Sequence, residues 1–514
     1  MNWQWDNSVS YDKSVGKHNF TGLVSFGLSQ NNYNYNQINA AGFATDDFSY
    51  KYLGGAYLKD QFQLGSDFVT NALISYVGRV NYNYDNRYFA TVTARYDGSS
   101  KFGNGNKWGL FPSLALAWDI SKEQFFKGVN LDQLKLRAGY GIAGNQNIPN
   151  FAYNSLYRPV FTNGSVTYVS DGRLGNRNLV WEKQKQLNLG VDVAFLHNRI
   201  AFSADYFIIH NDDLLMQRTL STTSGFNNTI DNVGALLNKG AEFNVTSKLV
   251  DKDDFQWSLG LNVSSYKNKI TKLYGSVDAI YNYGGFTGVE IQRTGNLFLD
   301  QPLNNIYTYK FDRIAQESDM DRIKNIDFGG HTIKPGDIIP VDMNGDNKID
   351  DADRVVVGKT DPKFYGGFST NLNYKGISLN AVFNYNYGGK AINYLYEGMM
   401  GGAGEYAGHT DELNRWTPQN TNTNIPRAYV GGGRYSMAET DYAVQSTSFL
   451  RMSAVTLSYN FRPEFVRNIK MSNLRVYATG SNLLTVTKYK GYDPEGGDAY
   501  PTSKMIVLGL NVGF

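Results

Sequence analysis

The 514-residue sequence contains no cysteine, only 12 prolines and five histidines, and no run of apolar residues long enough to form a membrane-spanning helix. The absence of cysteine excludes disulfide bonds and thiolate chemistry. Because a spanning helix needs about 20 consecutive apolar residues, a helical membrane protein is excluded as well. The net charge of +2 gives no reason to expect a nucleic acid as a partner.

Signals for catalysis are also missing. The histidines are scattered, without the spacing of metal ligands. Gly103, Gly105 and Gly109 loosely resemble a phosphate-binding loop, but no Gly-Lys-Ser/Thr follows them. No nucleophile elbow is present. The sequence therefore predicts no catalytic residues, and we do not expect an enzyme.

Aromatic residues and glycine are abundant, with 37 Tyr, 30 Phe and 53 Gly. Large membrane barrels use these residues in aromatic girdles and hairpins. Segments along the whole chain alternate apolar and polar residues with a period of two, which predicts β-strands with one apolar and one polar face. The clearest examples lie within residues 87–97, 187–196, 255–264 and 377–387. The repetition predicts an all-β fold, an antiparallel transmembrane β-barrel.

The last ten residues show the pattern most clearly. The large apolar residues of this stretch are Ile506, Leu508, Leu510, Val512 and Phe514, and mostly small or polar residues separate them. We expect their side chains to face lipid. A C-terminal aromatic residue on such a strand resembles the signal read by the outer-membrane barrel assembly machinery. The alternative is the closing strand of a soluble sandwich.

The connections between strands are alternately short and long, as expected when short turns are periplasmic and long loops extracellular. The predicted long loops are 31–71, 144–183, 211–232, 315–362, 388–446 and 484–503. Counting back from Phe514, we expect roughly seventeen strands, including a hairpin between Thr287 and Asp312. Because single-chain bacterial barrels have even strand counts, and because no secretory signal opens the chain, we expect part of the protein to precede Met1.

Several segments in order give the chain a family resemblance. The most specific are "ARYDGSSKFGNGNKWGLFPSLALAWDIS" (94–121), "LKLRAGYGIAGNQNI" (134–148), "LVWEKQKQLNLGVD" (179–192), "SFLRMSAVTLSYNF" (448–461) and "GYDPEGG" (491–497). With them, the chain resembles the C-terminal part of a SusC-like TonB-dependent outer-membrane transporter. The resemblance covers essentially all of the sequence.

The resemblance implies a 22-stranded barrel, of which this chain supplies the later strands. It also implies a TonB-binding N-terminal plug and a SusD-like surface lipoprotein that serves as a lid. The plug and the first strands have no counterpart here, so we expect them to be absent. The expected function is nutrient import across the outer membrane, with glycans or peptides as substrates. The alternatives are a plug-free passive channel or degenerate fragment, and a surface-binding or adhesin barrel.

One acidic stretch has the spacing of an EF-hand-like calcium loop. Candidate ligands occupy positions 1, 3, 5, 7, 9 and 12, with the carbonyl oxygen at position 7, and they are Asp342, Asn344, Asp346, Lys348, Asp350 and Asp353. Asn347 replaces the usual glycine at position 6, and aspartate replaces glutamate at position 12. The sequence therefore predicts a calcium site on an extracellular loop, with a solvated acidic turn as the alternative.

The long loops also carry many aromatic residues and amides, a combination that suits sugars or peptides. The predicted substrate-binding residues are Tyr394, Tyr406, Trp416 and Tyr435. The alternative is that these rings pack the loops themselves. On the polar face of the strands, Arg95, Asp192 and Asp205 are expected either to line the lumen or to contact a plug.

Overall fold

Long strands dominate the architecture. A computed structural model of the chain describes residues 2–45, 47, 51–58, 61–162, 164–275, 277–281, 296–400, 408–429, 434–497 and 500–514. The strands of the first half are β1 (Trp3–Val15), β2 (His18–Asn39), β3 (Gln63–Tyr84), β4 (Tyr88–Ser99), β5 (Trp108–Asp119), β6 (Gln133–Asn145), β7 (Tyr157–Thr162), β8 (Ser165–Ser170), β9 (Arg173–Leu174), β10 (Glu182–Phe195), β11 (Ile200–Thr219), β12 (Asn228–Lys252) and β13 (Phe255–Lys272).

The second half mixes long strands with short loop strands. They are β14 (Ala279–Ile280), β15 (Leu297–Phe298), β16 (Asn305–Tyr309), β17 (Phe311–Ile314), β18 (Ile338–Pro340), β19 (Arg354–Lys359), β20 (Phe364–Tyr374), β21 (Ile377–Tyr387), β22 (Lys390–Ile392), β23 (Val444–Ser446), β24 (Phe449–Asn460), β25 (Asn473–Thr487) and β26 (Met505–Gly513). The α-helices are α1 (Met320–Ile323), α2 (Tyr394–Met399) and α3 (Pro463–Asn468). Among the described residues, no helix has the length and apolar character needed to cross a membrane.

One sixteen-stranded sheet organises the chain. Its order is β1-β2-β3-β4-β5-β6-β10-β11-β12-β13-β20-β21-β24-β25-β26, with β9 paired in parallel to β12. Every neighbouring pair along this order is antiparallel. The predicted antiparallel all-β fold is confirmed. Within the described residues, β1 pairs only with β2 and β26 only with β25, and the two edges are not joined.

The predicted count of roughly seventeen strands is wrong, because fifteen strands follow one another along the main path within the part of the chain that the structure describes. The excess comes from the predicted hairpin between Thr287 and Asp312. The structure pairs β13 directly with β20, from Phe255–Tyr374 to Ser264–Tyr365, and so leaves no place for a hairpin between them. Residues 287–295 of that prediction lie outside the described residues. Residues 296–312 contribute to short loop strands instead.

Two predicted loops are shorter than expected. Residues 31–39 and 63–71, at the ends of the predicted loop 31–71, continue β2 and β3 as one paired ribbon. Similarly, β11 and β12 extend into both ends of 211–232 and leave only 220–227 between them. The polar side chains that suggested a loop form hydrogen bonds between the two paired strands. For example, Asn39 Nδ2 donates to Gln63 Oε1 at 3.2 Å. The remaining long connections are 146–181, 273–363, 388–448 and 488–504.

The two faces of the sheet have opposite chemistry, as the period-two pattern predicts. Apolar side chains that share one face are widely exposed, including Leu116, Leu136, Leu189, Phe243 and Leu261 at 42–49%. The opposite face carries serine, asparagine, arginine and aspartate. In a membrane barrel, the apolar face meets lipid and the polar face lines the lumen. The buried hydrophobic clusters lie in the loops and at the extracellular ends of strands, because the apolar face of the sheet is turned toward lipid.

Candidate functional site: the lumenal face and the extracellular loops

The lumenal face carries a compact ion cluster on three adjacent strands. Arg137 on β6 donates to both carboxylate oxygens of Asp192 (2.9 and 2.8 Å) and to both of Asp205 (2.7 and 3.0 Å). Gly190 lies between Arg137 and Asp205 in the register of the three strands. A Cβ atom on this glycine would lie 2.4 Å from Asp205 Oδ1 and 2.7 Å from Arg137 Cζ. Gly190 therefore leaves the room in which the arginine crosses β10.

A second polar group lies further along the same face. Arg95 donates from Nε to both oxygens of Asp97 (2.9 and 2.7 Å) and from Nη2 to Ser75 Oγ (2.9 Å). Sequence analysis placed Arg95, Asp192 and Asp205 on the inward face, and the structure places them there. It missed Arg137, which pairs with both aspartates. The signal was present, since Arg137 occupies an inward position in the alternation of β6.

The long loops 273–363 and 388–448 fold together into a compact body, called here the loop cluster. Its buried residues are Tyr309, Ile314, Ala315, Ile323, Phe328, Ile338, Ile339, Ile349, Tyr396, Met400, Trp416, Tyr435, Met437 and Ala443. Loop residues of a porin-like rim are ordinarily solvated, but these form a core of their own. The loops are thus a preformed structure on the extracellular side of the sheet.

A fully buried carboxylate holds two distant parts of the loop cluster together. Asp337, with no exposed surface, accepts from Arg427 Nε at 2.8 Å and Arg427 Nη2 at 3.1 Å, and Arg434 Nη1 lies 3.5 Å away. Its second oxygen also accepts from the backbone N–H of Lys334 at 2.9 Å. Burial lowers the pKa of Arg434, although the nearby Asp337 carboxylate favours its charged form. This cluster was not predictable from the sequence, because 90 residues separate Asp337 from Arg427.

Those predicted substrate-binding aromatics that the structure describes are not brought together on a surface. Trp416 and Tyr435 are 7% and 3% exposed, and both belong to the loop-cluster core. Trp416 Nε1 donates to Gln316 Oε1 at 3.1 Å, and the Tyr435 hydroxyl donates to the Phe328 carbonyl oxygen at 3.0 Å. The prediction for these two residues is wrong, since packing covers both rings. Tyr394 is exposed, and Tyr406 lies outside the described residues.

The acidic stretch 342–353 folds as a tight loop whose side-chain oxygens accept from its own backbone. Asp342 accepts from the N–H groups of Gly345 (2.7 Å) and Asn347 (2.9 Å), and Asp353 accepts from those of Met343 (2.8 Å) and Asp350 (2.9 Å). Asn347 adopts the left-handed conformation, with φ of 63°. Among the described residues, no three His, Cys, Asp or Glu side chains are grouped closely enough to hold a metal ion.

The remaining candidate ligands follow the same pattern. Asn344 and Asp346 accept from the backbone N–H groups two residues further on, at 3.0 and 2.9 Å. Lys348 Nζ lies 2.8 Å from Asp350 Oδ2 and lowers the pKa of that carboxyl group. Carboxylate and amide oxygens are nevertheless the ligand types that calcium takes. The donor chemistry fits calcium, and the calcium site stays a prediction.

The last extracellular loop, 488–504, is tied to the rest by three ion pairs. Arg451 on β24 donates to Asp493 Oδ1 at 2.8 Å and to Glu495 Oε2 at 2.6 Å. Lys490 donates to Asp411 Oδ2, which also accepts from the Tyr396 hydroxyl at 2.8 Å. These two hydrogen bonds hold the pKa of Asp411 below its usual value. The ion pairs of Lys490 and of the "GYDPEGG" segment therefore fix this loop on the rim.

The C-terminal strand presents its apolar side chains to the outside of the sheet. Ile506, Leu508 and Leu510 are 73%, 79% and 60% exposed, and Phe514 beyond the strand is also exposed. Val512 pairs with Leu474 on β25. None of the five belongs to a buried hydrophobic cluster of the described residues. The exposure of Ile506, Leu508, Leu510 and Phe514 agrees with the predicted outward face, and the contact of this row with lipid stays a prediction.

A large antiparallel sheet with a lipid-facing side, a charged lumenal side and a folded extracellular rim defines a β-barrel protein of the outer membrane. The family described as "TonB dependent receptor-like, beta-barrel" matches residues 1–483. The chain belongs to this family, which confirms the predicted family and the location in the outer membrane. The family is one of receptors and transporters, and it is not known as a family of enzymes.

Two curated relatives and two solved structures define the similarity further. The chain is 34% identical to TonB-dependent receptor P3 of Formosa agariphila, over 99% of this chain and 52% of that protein. It is 34% identical to TonB-dependent receptor SusC of Bacteroides thetaiotaomicron, over 86% of this chain and 44% of that protein. It therefore spans about half the length of the relatives it matches.

Among solved structures, the RagAB peptide transporter matches 100% of this chain and 55% of its own chain, with a TM-score of 0.83 and 25% identity. The outer-membrane transporter YddB from Escherichia coli matches 100% of this chain with a TM-score of 0.52 and 12% identity. The likeness to YddB concerns the fold alone.

Proposed function

We propose that the protein is the barrel part of an outer-membrane importer that takes up glycans or peptides too large for a general porin. The observation that carries the proposal is the polar lumenal face, with the Arg137 ion cluster, in a chain of the TonB-dependent receptor-like family. A lumen lined in this way holds water and polar solute. No catalytic residue is required, because binding and opening of the path suffice for transport.

We further propose that a SusD-like surface lipoprotein covers the rim and that TonB supplies the energy through a plug domain. The folded loop cluster supports a lid partner, because it offers a preformed surface on the extracellular side. Purification from the native membrane in mild detergent tests the partner. Recovery of the protein without a stoichiometric lipoprotein, from cells that express both, contradicts the pairing.

Uptake assays in the native host distinguish the proposed function from its alternatives. Cells that lack the gene are compared with cells that regain it, with labelled oligosaccharides and labelled peptides, in the presence and absence of TonB. The importer predicts uptake that needs both the gene and TonB. Uptake that needs the gene but not TonB indicates a passive channel. Surface binding without uptake indicates an adhesin.

For the acidic loop 342–353, we propose calcium binding at the outer surface, with an affinity in the millimolar range of extracellular modules. Six of its residues have the required spacing, and the metal would order the rim without taking part in chemistry. We expect the double variant Asp342→Ala with Asp346→Ala to abolish calcium-dependent heat in calorimetry of the chelated protein, and the barrel to stay folded. If the unsubstituted protein shows no calcium-dependent heat at millimolar calcium, the loop is only a solvated acidic turn.

We also propose that the C-terminal residues act as the assembly signal for the barrel assembly machinery. The exposed row Ile506, Leu508 and Leu510, followed by Phe514, is free for recognition before the barrel is complete. Phe514→Ala is therefore expected to lower the amount of folded protein in the outer membrane several-fold. Tyr500→Ala is the matched control, since it removes an equally exposed aromatic ring from a loop. If the two variants are found in the membrane in equal amounts, the proposal that Phe514 is part of an assembly signal is contradicted.

A further inference from the structure

A set of lysines lies on the lipid-facing side of the sheet, directly above the apolar band. On β12, the outward residues Val245, Phe243 and Ala241 are followed by Lys239, and on β13 Leu261 and Val263 are followed by Ser265 and Lys267. On β11, the nine residues from Ile200 to Ile208 precede the outward His210. A transmembrane strand needs about 9–11 residues. Lys239 and Lys267 therefore lie at the boundary with the outer leaflet.

Lys239 and Lys267 face each other directly in the register of β12 and β13. Side chains that are opposite in an antiparallel pair have Cβ atoms about 4.5–5.5 Å apart, and like charges at this spacing are destabilising. Neighbouring lysines are neutralised, since Lys185 pairs with Asp212 at 2.8 Å and Lys269 with Asp300 at 2.6 Å. For Lys239 and Lys267, no carboxylate within 4.0 Å is found in the described part of the chain. An anion between the two ammonium groups would relieve their repulsion.

An apolar groove of about 950 Å³ begins one side-chain layer below the lysines. It follows one row of register partners across six strands, and this row contains Ala241, Tyr206, Leu189, Ala138, Leu116 and Ala90. The alanines leave space between the larger side chains. At about 4.8 Å per strand, the row is about 24 Å long.

The direction of the groove suits an acyl chain. Ala241 lies one layer inside Lys239, at the extracellular side of the apolar band, whereas Ala90 lies one layer from Tyr88 at the periplasmic end of β4. The row thus descends through the hydrocarbon region, as expected for strands tilted by about 35–45°. A cationic pair above an apolar groove has the chemistry of a phosphorylated lipid, with a charged headgroup and a hydrocarbon tail.

We propose that Lys239, Lys267 and this groove bind one phosphorylated glycolipid of the outer leaflet. Its phosphate lies between the two ammonium groups and one acyl chain lies in the groove. The site does not depend on what the protein transports, only on its place in the outer membrane. A lipid held here would fix the barrel wall beneath the loops 220–227 and 273–363, which adjoin the extracellular ends of the two strands that carry the lysines.

The test measures lipid that stays with the full-length protein after purification in mild detergent, by native mass spectrometry. The probes are lipopolysaccharide from the host, the same lipid after removal of phosphate, and inorganic phosphate. The variant Lys239→Gln with Lys267→Gln is expected to bind the phosphorylated lipid about thirty-fold more weakly. This factor corresponds to the loss of about 1 kcal/mol for each lysine near an anionic surface. Lys122→Gln with Lys127→Gln is the matched control, because both lysines are exposed in the periplasmic connection.

Three outcomes overturn the proposal. In the first, the unsubstituted protein holds no lipid. In the second, the two double variants bind the lipid equally well. In the third, inorganic phosphate at the same concentration displaces the lipid, which indicates a site for free phosphate. A variant with the groove filled, Ala138→Trp with Ala241→Trp, keeps both lysines and is expected to lose the lipid as well. A shift in gel mobility on heating verifies that each variant is folded before its lipid is measured.

Discussion

Asp337→Ala is expected to open the loop cluster while the sheet stays assembled. The substitution removes the carboxylate that faces Arg427 and Arg434, and two guanidinium groups then remain in a largely buried position without their counter-charge. Breaking a buried ion pair by removal of one partner costs about 3–5 kcal/mol. That amount is large for a unit whose core contains only loop residues. Hydrogen exchange at residues 311–349 and 434–443 is the measurement, and we expect faster exchange there and unchanged exchange in the strands.

A control on the same loop separates this effect from simple loss of charge. Asp321 has a side chain that is 97% exposed and pairs with Lys324 at 3.6 Å. Exposed pairs contribute about 0–1 kcal/mol, so Asp321→Ala is expected to leave the exchange of the loop cluster unchanged. Equal protection in Asp337→Ala and Asp321→Ala contradicts the role of Asp337 as the link between the two loops.

The second large effect is expected for an arginine on the lipid-facing side. Val191 lies on the outward face of β10, between Leu136 of β6 and Ala204 of β11, near the middle of the apolar band. Arginine at the bilayer midplane of a barrel costs about 2–4 kcal/mol. Val191→Arg should therefore lower the free energy of unfolding in lipid vesicles by this amount, as measured by urea titration.

A nearby inward position on the same strand supplies the matched control. Asn188→Arg introduces the same side chain on the same strand, but on the lumenal face, where Asp192 and Asp205 already accept from Arg137. We expect a change well below that of Val191→Arg. If Asn188→Arg destabilises the protein as much as Val191→Arg, the assignment of the two faces is wrong.

The faces of the sheet could be predicted from the sequence because water and lipid impose opposite demands on alternate residues. This local signal placed Ile506, Leu508 and Leu510 outside and Asp192 and Asp205 inside, without knowledge of any partner strand. The same signal failed in residues 31–39. There, asparagine and tyrosine form a strand outside the hydrocarbon region, and apolar alternation is not needed where no lipid is present.

The loop cluster could not be predicted, since its contacts join residues that are far apart in sequence. Trp416 was expected on a surface because aromatic residues in loops often meet ligands, yet its indole packs beside Gln316, 100 residues away. Likewise, Asp337 gave no sign that it would be buried. Asp337 is buried because two arginines of the other loop pair with it, and the spacing of residues along the chain does not indicate that these side chains come into contact.

Cysteine labelling tests the central claim most directly, because residues 1–514 contain no cysteine and an introduced thiol is the only one among them. Single cysteines are placed at each position from Gln186 to Val193 on β10 except Gly190, where a side chain would collide with Asp205 and Arg137, in protein folded in the membrane. We predict that a water-soluble maleimide modifies positions 186, 188 and 192, whereas a lipid-soluble probe modifies 187, 189, 191 and 193. The same reactivity at neighbouring positions, or protection of both sets, would contradict a membrane sheet with one face to lipid and one to a watery lumen.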